Sequence, residues 1–237
     1  SCLPACPRGG LARGAEGLGI DRGLCDGCGA CAEACPAGAL EVLGQMVSPQ
    51  ELVGELLKDR AYYEKSGGGV TLSGGEPTLQ PEFSAAVLAD LRAAGIATAL
   101  DTCGLCGRET LAGLLDLSDL VLYDLKVLDS AQHRQFTGAE NARILDNLAW
   151  LCAELAARGG ARLWIRTPLI PRATFLEENI RGISAWLAEN TRGQVERWEL
   201  CAFNNLCRDK YGRLDLEWDF AADGLMRQDE LALAGEW

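Results

Sequence analysis

Residues 66–80 read Ser66-Gly67-Gly68-Gly69-Val70-Thr71-Leu72-Ser73-Gly74-Gly75-Glu76-Pro77-Thr78-Leu79-Gln80. The β-prone run 70–72 leads into a turn at 73–77. Gly74 and Gly75 carry no Cβ, so the backbone there can take dihedrals closed to other residues and come close to a ligand. Glu76 sets an anionic acceptor at the end of the strand. Pro77, with a fixed φ and no N–H, stops it. The geometry suits an ammonium group, although a lone Gly-Gly-Glu-Pro can equally be a plain turn into the helix that opens near Pro81.

Outward from this turn the pattern alternates. Short apolar strands are expected at 70–72, 97–100, 120–123, 163–170 and 195–201. Amphipathic helices separate them at 81–94, 108–115, 141–157 and 176–190. A further helix begins at Ser48-Pro49-Gln50-Glu51, a capping box with Pro at the first helical position, and runs to about Lys58. Such alternation implies an α/β fold with a parallel sheet whose ligands sit at the carboxyl ends of the strands. Five strands are too few for a closed eight-stranded barrel, so an open or partial β/α barrel is expected.

Each strand ends in charge or glycine. Glu76 follows the first, Asp101 and Thr102 the second, Asp124 and Lys126 the third; Arg166 lies along the fourth and Asn204 beyond the fifth. Taken singly these are ordinary caps, loop residues or surface ion pairs. Their shared position marks them as one site.

The 237 residues suffice for one sizeable α/β domain with a small insert. The net charge of −12, without a basic block, speaks against a nucleic-acid surface. No apolar run has the length of a membrane span, and no signal-peptide pattern opens the chain. The first residue is Ser1, not Met, as expected of a fragment lacking an N-terminal strand.

Eleven cysteines are many for this length, yet the chain is too large and too apolar for a disulfide scaffold. Their clustering points to metal in a reducing compartment. Cys2 and Cys6 lie in a loop with Pro4 and Pro7, and a glycine-rich stretch expected to be structureless runs to about Gly23. Then Cys25, Cys28, Cys31 and Cys35, followed by Pro36, have the spacing of a bacterial ferredoxin cluster loop. In two-cluster ferredoxins the fourth cysteine of such a run serves the other cluster, so either Cys35 or a distant cysteine closes this one. Cys35 is preferred.

The ordered motifs of residues 66–80, Asp101-Thr102-Cys103-Gly104, Leu120 to Lys126, His133 with Thr137-Gly138 and Asn141, and Arg166 to Pro171 resemble the glycyl-radical enzyme activating enzymes. These belong to the radical S-adenosylmethionine (SAM) superfamily and are similar to pyruvate formate-lyase activating enzyme. The resemblance covers about residues 20–215. It implies a partial barrel over residues 1–237, N-terminally truncated, with a ferredoxin-like 4Fe-4S insert at 21–43.

The same resemblance implies a SAM site. Gly74, Gly75, Glu76 and Pro77 would hold the amino group of SAM, and Asp124, Leu125 and Lys126 match the family's Asp-Leu-Lys. Asp101, Thr102 and Asp124 match positions that bind a monovalent cation in some members. Arg166 resembles a strand-end arginine of the cavity. Asn204 stands where the family has His, keeping a hydrogen bond but no charge. Cys2 and Cys6 fit the Cys-x3-Cys-x2-Cys loop of the SAM-binding 4Fe-4S cluster, whose third position is here Gly9. That departure keeps a second reading open, an iron-sulfur electron-transfer or docking protein that has lost SAM cleavage. A radical SAM enzyme for a small molecule or peptide is a third, against which the motifs after Asp101 count.

An activase of this kind implies a glycyl-radical enzyme as partner, a flavodoxin- or ferredoxin-like electron donor, a monomer and a cytoplasmic location, with neither nucleic acid nor membrane. Cys103 and Cys106 form a Cys-x2-Cys pair that reads as structural more readily than as ligating. Cys152 reads as helix core, Cys201 and Cys207 are weak candidates, and His133 is expected to be structural or to serve docking. The six Trp show no stacking platform and read as packing.

Overall fold

The computed structural model describes residues 2–15 and 17–237. It divides into two compact units, Ser1–Val47 and Ser48–Trp237. The first takes in the residues expected as an insert and also those before them.

In the first unit, a 3-10 turn at Leu3–Ala5 precedes an antiparallel hairpin of β1 (Leu11–Gly14) and β2 (Gly17–Ile20), with Leu11 opposite Ile20 and Gly14 opposite Gly17. The stretch expected to be structureless is therefore paired. Gly14 and Gly17 form the last pair of the ladder, and Gly17 takes a positive φ of 123°, which glycine adopts without steric cost. The short helix α1 (Ala30–Glu33) lies between Cys28 and Cys35.

The second unit opens with α2 (Pro49–Leu56), and the expected capping box is formed. Ser48 Oγ accepts the Glu51 N–H at 3.2 Å and Glu51 Oε2 accepts the Ser48 N–H at 2.8 Å. A 3-10 turn leads into α3 (Arg60–Ser66). There follow β3 (Gly69–Leu72), α4 (Pro81–Ala93), β4 (Ala97–Thr102), α5 (Arg108–Leu115), β5 (Leu120–Asp124), α6 (Ser130–Thr137), α7 (Ala142–Arg158) and β6 (Arg162–Leu169). The chain ends with α8 (Glu177–Asn190), β7 (Val195–Ala202), α9 (Arg208–Arg213) and α10 (Gln228–Glu236). The five strands β3 to β7 form one parallel sheet in sequence order.

Alternate residues of β6 are buried, and Leu163 and Ile165 pack with Val121 and Tyr123 of β5 against Leu148, Leu151 and Cys152 of α7. Each such aliphatic side chain contributes roughly 2 kcal/mol on burial, which fixes the strands and so the positions of their tips. The helix α6 had no expectation in the sequence because its residues lack an apolar period. Its caps carry it instead: Asp129 accepts the Gln132 N–H at 2.8 Å, and Gly138 ends the helix in the left-handed region at φ 82°. Among the described residues no helix is long and apolar enough to cross a membrane.

Candidate functional site

The turn after β3 is tied to β4 by one carboxylate. Glu76 Oε1 accepts from the Thr102 hydroxyl at 2.7 Å, the Thr78 hydroxyl at 2.9 Å and the Thr78 N–H at 3.2 Å, while Oε2 accepts the Cys103 N–H at 2.9 Å. Burial works to raise the Glu76 carboxyl, and the Cys103 N–H with the Thr102 and Thr78 hydroxyls outweighs it, holding the group below its usual range. The anion is thus engaged by the protein itself. Gly74 and Gly75, in the same turn, are exposed.

The loop after β4 is clamped from below. Gly104 lies at φ 70°, and a Cβ there would stand 1.7 Å from the Tyr123 hydroxyl. The Asn147 side-chain amide donates to the carbonyls of Gly104 at 2.8 Å and Cys106 at 3.0 Å. Asn147, from the middle of α7, is a positioning residue that helical periodicity gave no sign of.

Asp101 lies between two partners. Its Oδ2 accepts from the Ser73 hydroxyl at 2.8 Å and from Arg166 Nη1 at 2.8 Å. Next along the sheet, Lys126 Nζ stands 3.1 Å from Asp124 Oδ2. Burial raises Asp124 above the ordinary aspartate value, against the pull of Lys126. For Arg166, burial opposes the charge, yet Cys201, Asp101 and Asp124 together raise its pKa.

The expected site residues divide by environment. Lys126, Arg166 and Asn204 open on a cleft of about 640 Å3 that Tyr211 and Trp218 help to wall. Ser73, Gly75, Glu76 and Pro77 line a separate one of about 220 Å3. Hydrogen bonds and ion pairs link the tips: Ser73 joins Asp101 on the neighbouring strand, and Arg166 of β6 reaches across β5 to the same carboxylate. Leu125 faces neither cleft. It is 1% exposed and belongs to the core, its N–H donating to the Arg166 carbonyl at 3.0 Å and its carbonyl accepting the Thr167 hydroxyl at 2.7 Å. Its place in the structure is to keep Asp124 and Lys126 in register.

Two buried asparagines hold the segment after β5. Asn179 donates to the Lys126 carbonyl at 3.0 Å, and Asn141 to those of Val127 and Leu128 at 3.0 and 2.7 Å. His133 is structural, its Nδ1–H donating to the Ala139 carbonyl at 2.7 Å. Burial pushes the Cys103 thiol up to about 11 and raises Cys106 as well, so the pair is protonated at neutral pH. Cys152 is fully buried in α7, as expected.

In the first unit, the N–H groups of Leu40, Ala37 and Ala39 hold the Cys35 thiol below its ordinary value. Among the described residues no three His, Cys, Asp or Glu are gathered as a metal would hold them. The donor set nonetheless fits iron-sulfur chemistry, because four thiols at this spacing with backbone N–H groups turned to sulfur are what a cluster uses.

A parallel α/β sheet with charged strand tips, on a chain that also carries a cysteine run of ferredoxin spacing, is the architecture that the resemblance to the radical SAM activating enzymes implies. Comparison with known proteins agrees. The 4Fe-4S binding domain matches residues 18–41. The isethionate sulfite-lyase activating enzyme of Oleidesulfovibrio alaskensis is 38% identical over 216 residues, 90% of this chain and 68% of that protein. The pyruvate formate-lyase 2-activating enzyme of Escherichia coli is 37% identical over 188 residues, 79% of this chain and 61% of that one. A crystallised domain of pyruvate formate-lyase-activating enzyme from Bacteroides vulgatus superposes with TM-score 0.56 at 28% identity, covering 71% of this chain and 91% of that domain. The chain belongs to the glycyl-radical enzyme activating enzymes, oxidoreductases of the radical SAM superfamily. The reading as an electron-transfer protein that has lost SAM cleavage finds no support among these relatives.

Proposed function

We propose that this protein installs a glycyl radical in a partner enzyme, using SAM bound across the strand tips of β3 to β7. The observation that carries the reading is the charged row itself, in which Ser73, Asp101 and Arg166 form one hydrogen-bonded chain and Asp124 and Lys126 pair beside it. The exposed turn at Gly74 and Gly75 would receive the methionine ammonium. Arg166 and Lys126 face the carboxylate, and Asn204 supplies a neutral hydrogen bond where the family has histidine. Asp101, Thr102 and Asp124 are the positions for a monovalent cation. The side chain of Glu76 orients the turn and stays off the ligand, and that of Leu125 stays in the core.

When bound, a reduced 4Fe-4S cluster supplies the electron that cleaves SAM to methionine and a 5′-deoxyadenosyl radical, which takes hydrogen from a glycine of the partner. The chain's own work is to fix SAM and keep water away. An electron donor of flavodoxin or ferredoxin type, a monomeric state and a cytoplasmic setting complete the reading; eleven free cysteines favour a reducing compartment.

The test is anaerobic reconstitution of the protein with iron and sulfide, reduction, and chromatography for 5′-deoxyadenosine, followed by electron paramagnetic resonance of a glycyl-radical enzyme added to it. Equal yields of methionine and 5′-deoxyadenosine and a glycyl doublet are expected. Absence of 5′-deoxyadenosine from protein with its clusters loaded rules the reading out.

A further inference from the structure

Residues 216–223 read Leu-Glu-Trp-Asp-Phe-Ala-Ala-Asp, in a stretch between β7 and α10 that runs outside the core. Among the described residues none between Phe203 and Ala234 is buried, and the chain packs inward again at Met226, Leu231 and Ala234, against Leu169 and Ile180. Yet the stretch supplies Tyr211, Trp218 and Phe220 to the cleft of about 640 Å3 on which Lys126 and Arg166 open. A wall of that cleft is therefore built from a segment with no core of its own.

Two sets of contacts hold it. Phe203, just past β7, stacks on Trp218 with ring centres 5.9 Å apart and meets Phe220 edge-on at 6.4 Å, and Tyr211 stacks on Trp218 at 5.7 Å. From the loop after β6, Arg172 reaches over with a fork. Its Nη1 donates to Asp223 Oδ1 at 2.6 Å and its Nη2 to Oδ2 at 2.9 Å, with the Asp219 carbonyl at 3.4 Å and the Phe220 ring centre 5.5 Å away.

Arg172 stands on a firm base at a backbone cost. It lies at φ 62°, in the left-handed region that residues with a Cβ rarely adopt. The turn around it is tightly bound: the Ile170 carbonyl accepts the N–H groups of Ala173 at 3.1 Å and of Thr174 and Phe175 at 3.0 Å, and Thr174 Oγ1 accepts the Ile170 N–H at 2.7 Å. Strain of this kind persists where the surroundings over-determine it and is concentrated at ligand clamps. Glycine would suit the turn at no steric cost. What it lacks is the fork.

We propose that Arg172 is a positioning residue, whose grip on Asp223 holds residues 208–223 as a strap that sets the aromatic wall of the cleft. The proposal rests on the reading of that cleft as the SAM site. Arg172 is 63% exposed and Asp223 16%, so the pair adds little to global stability. Its loss frees the strap while the sheet stays folded, because a segment without buried residues opens on its own.

The full chain, reconstituted anaerobically, is compared as parent, Arg172→Gly and Asp223→Asn. Arg172→Gly removes the fork and relieves the positive φ, so its melting midpoint is expected to stay within a few degrees of the parent. Amide hydrogen exchange in 208–223 is expected to quicken about fivefold or more while β4 to β6 keep their protection. Iodoacetamide labelling of Cys201, which lines the cleft, is expected to quicken with it, and calorimetric titration to show SAM bound about three- to tenfold more weakly. Asp223→Asn is expected to match it in all three. Exchange and labelling need no SAM, so a parent that fails to bind SAM overturns the proposed function while these two still decide the latch. Unchanged exchange in 208–223, unchanged labelling of Cys201, or unchanged affinity beside a parent that binds SAM overturns the positioning role.

Discussion

Arg166 and Asp101 meet at 2.8 Å across the carboxyl end of the sheet, with the Ser73 hydroxyl on the same carboxylate oxygen. Residues distant in the chain share one oxygen there because β4, β5 and β6 are neighbours in register, with Asp124 opposite Arg166. The pair is partly exposed, the side chains at 32% and 17%, so its worth to stability is about 1 kcal/mol or less. Its larger effect is to aim a fixed positive charge at the cleft.

Replacing Arg166 by Ala is expected to weaken SAM binding by about tenfold or more, the size of one lost charged hydrogen bond. The thermal midpoint is expected to move by only a few degrees. Calorimetric titration with SAM and a melting curve check the two halves separately, and a large loss of stability with unchanged affinity would reverse the assignment.

Glu76→Gln puts an amide donor among donors that need an acceptor, and is expected to cost about 1 to 2 kcal/mol after allowing for partial exposure. The pH dependence follows from the direction of the shift. Because the folded carboxyl lies below its usual 4.5, the unfolded state binds the proton more readily, and the stabilisation is complete above 4.5. It is lost as pH falls through the folded value. Urea midpoints measured downward from pH 6 are expected to fall more steeply for the parent than for Glu76→Gln.

Asp124 behaves oppositely. Burial raises its pKa above 3.8, so the folded state holds the proton more tightly and stability declines as pH rises through that window. Asp124→Asn is expected to leave the protein as stable as the parent at pH 7 or more so, while loosening Lys126 and weakening SAM binding. Melting curves from pH 4 to 7 test this, since the acid-side gain of the parent should vanish in the variant.

Two glycines separate packing from ligand approach. Gly104→Ala drives a Cβ to 1.7 Å from the Tyr123 hydroxyl at φ 70°, and a loss of about 3 kcal/mol or more is expected from strain and overpacking. A Cβ on Gly75 meets nothing within 4 Å, so Gly75→Ala is expected to fold normally and to bind SAM less well. Denaturation and SAM titration of both variants should therefore give opposite patterns.

Much of this protein is written within a few residues of where it happens. The capping box at Ser48 and Glu51, the amphipathic period of α7 and the cysteine spacing each depend on neighbours one helical turn or less away, and the chain alone determines them; the strand expected to stop at Pro77 ends earlier, at Leu72, and Pro77 opens a 3-10 turn. The hairpin of β1 and β2 and the helix α6 were also local. They escaped because their signals are glycines and caps on polar residues rather than an apolar period.

Other features needed the sheet. That the Glu76 carboxylate is taken up by Thr102 and Cys103, that Leu125 turns into the core, and that Asn147 and Asn179 hold loops far from them in sequence all depend on which strands lie side by side and in what register. No short stretch contains that information, because it is set by burial of the β5, β6 and α7 core, and the tips meet where that packing leaves them.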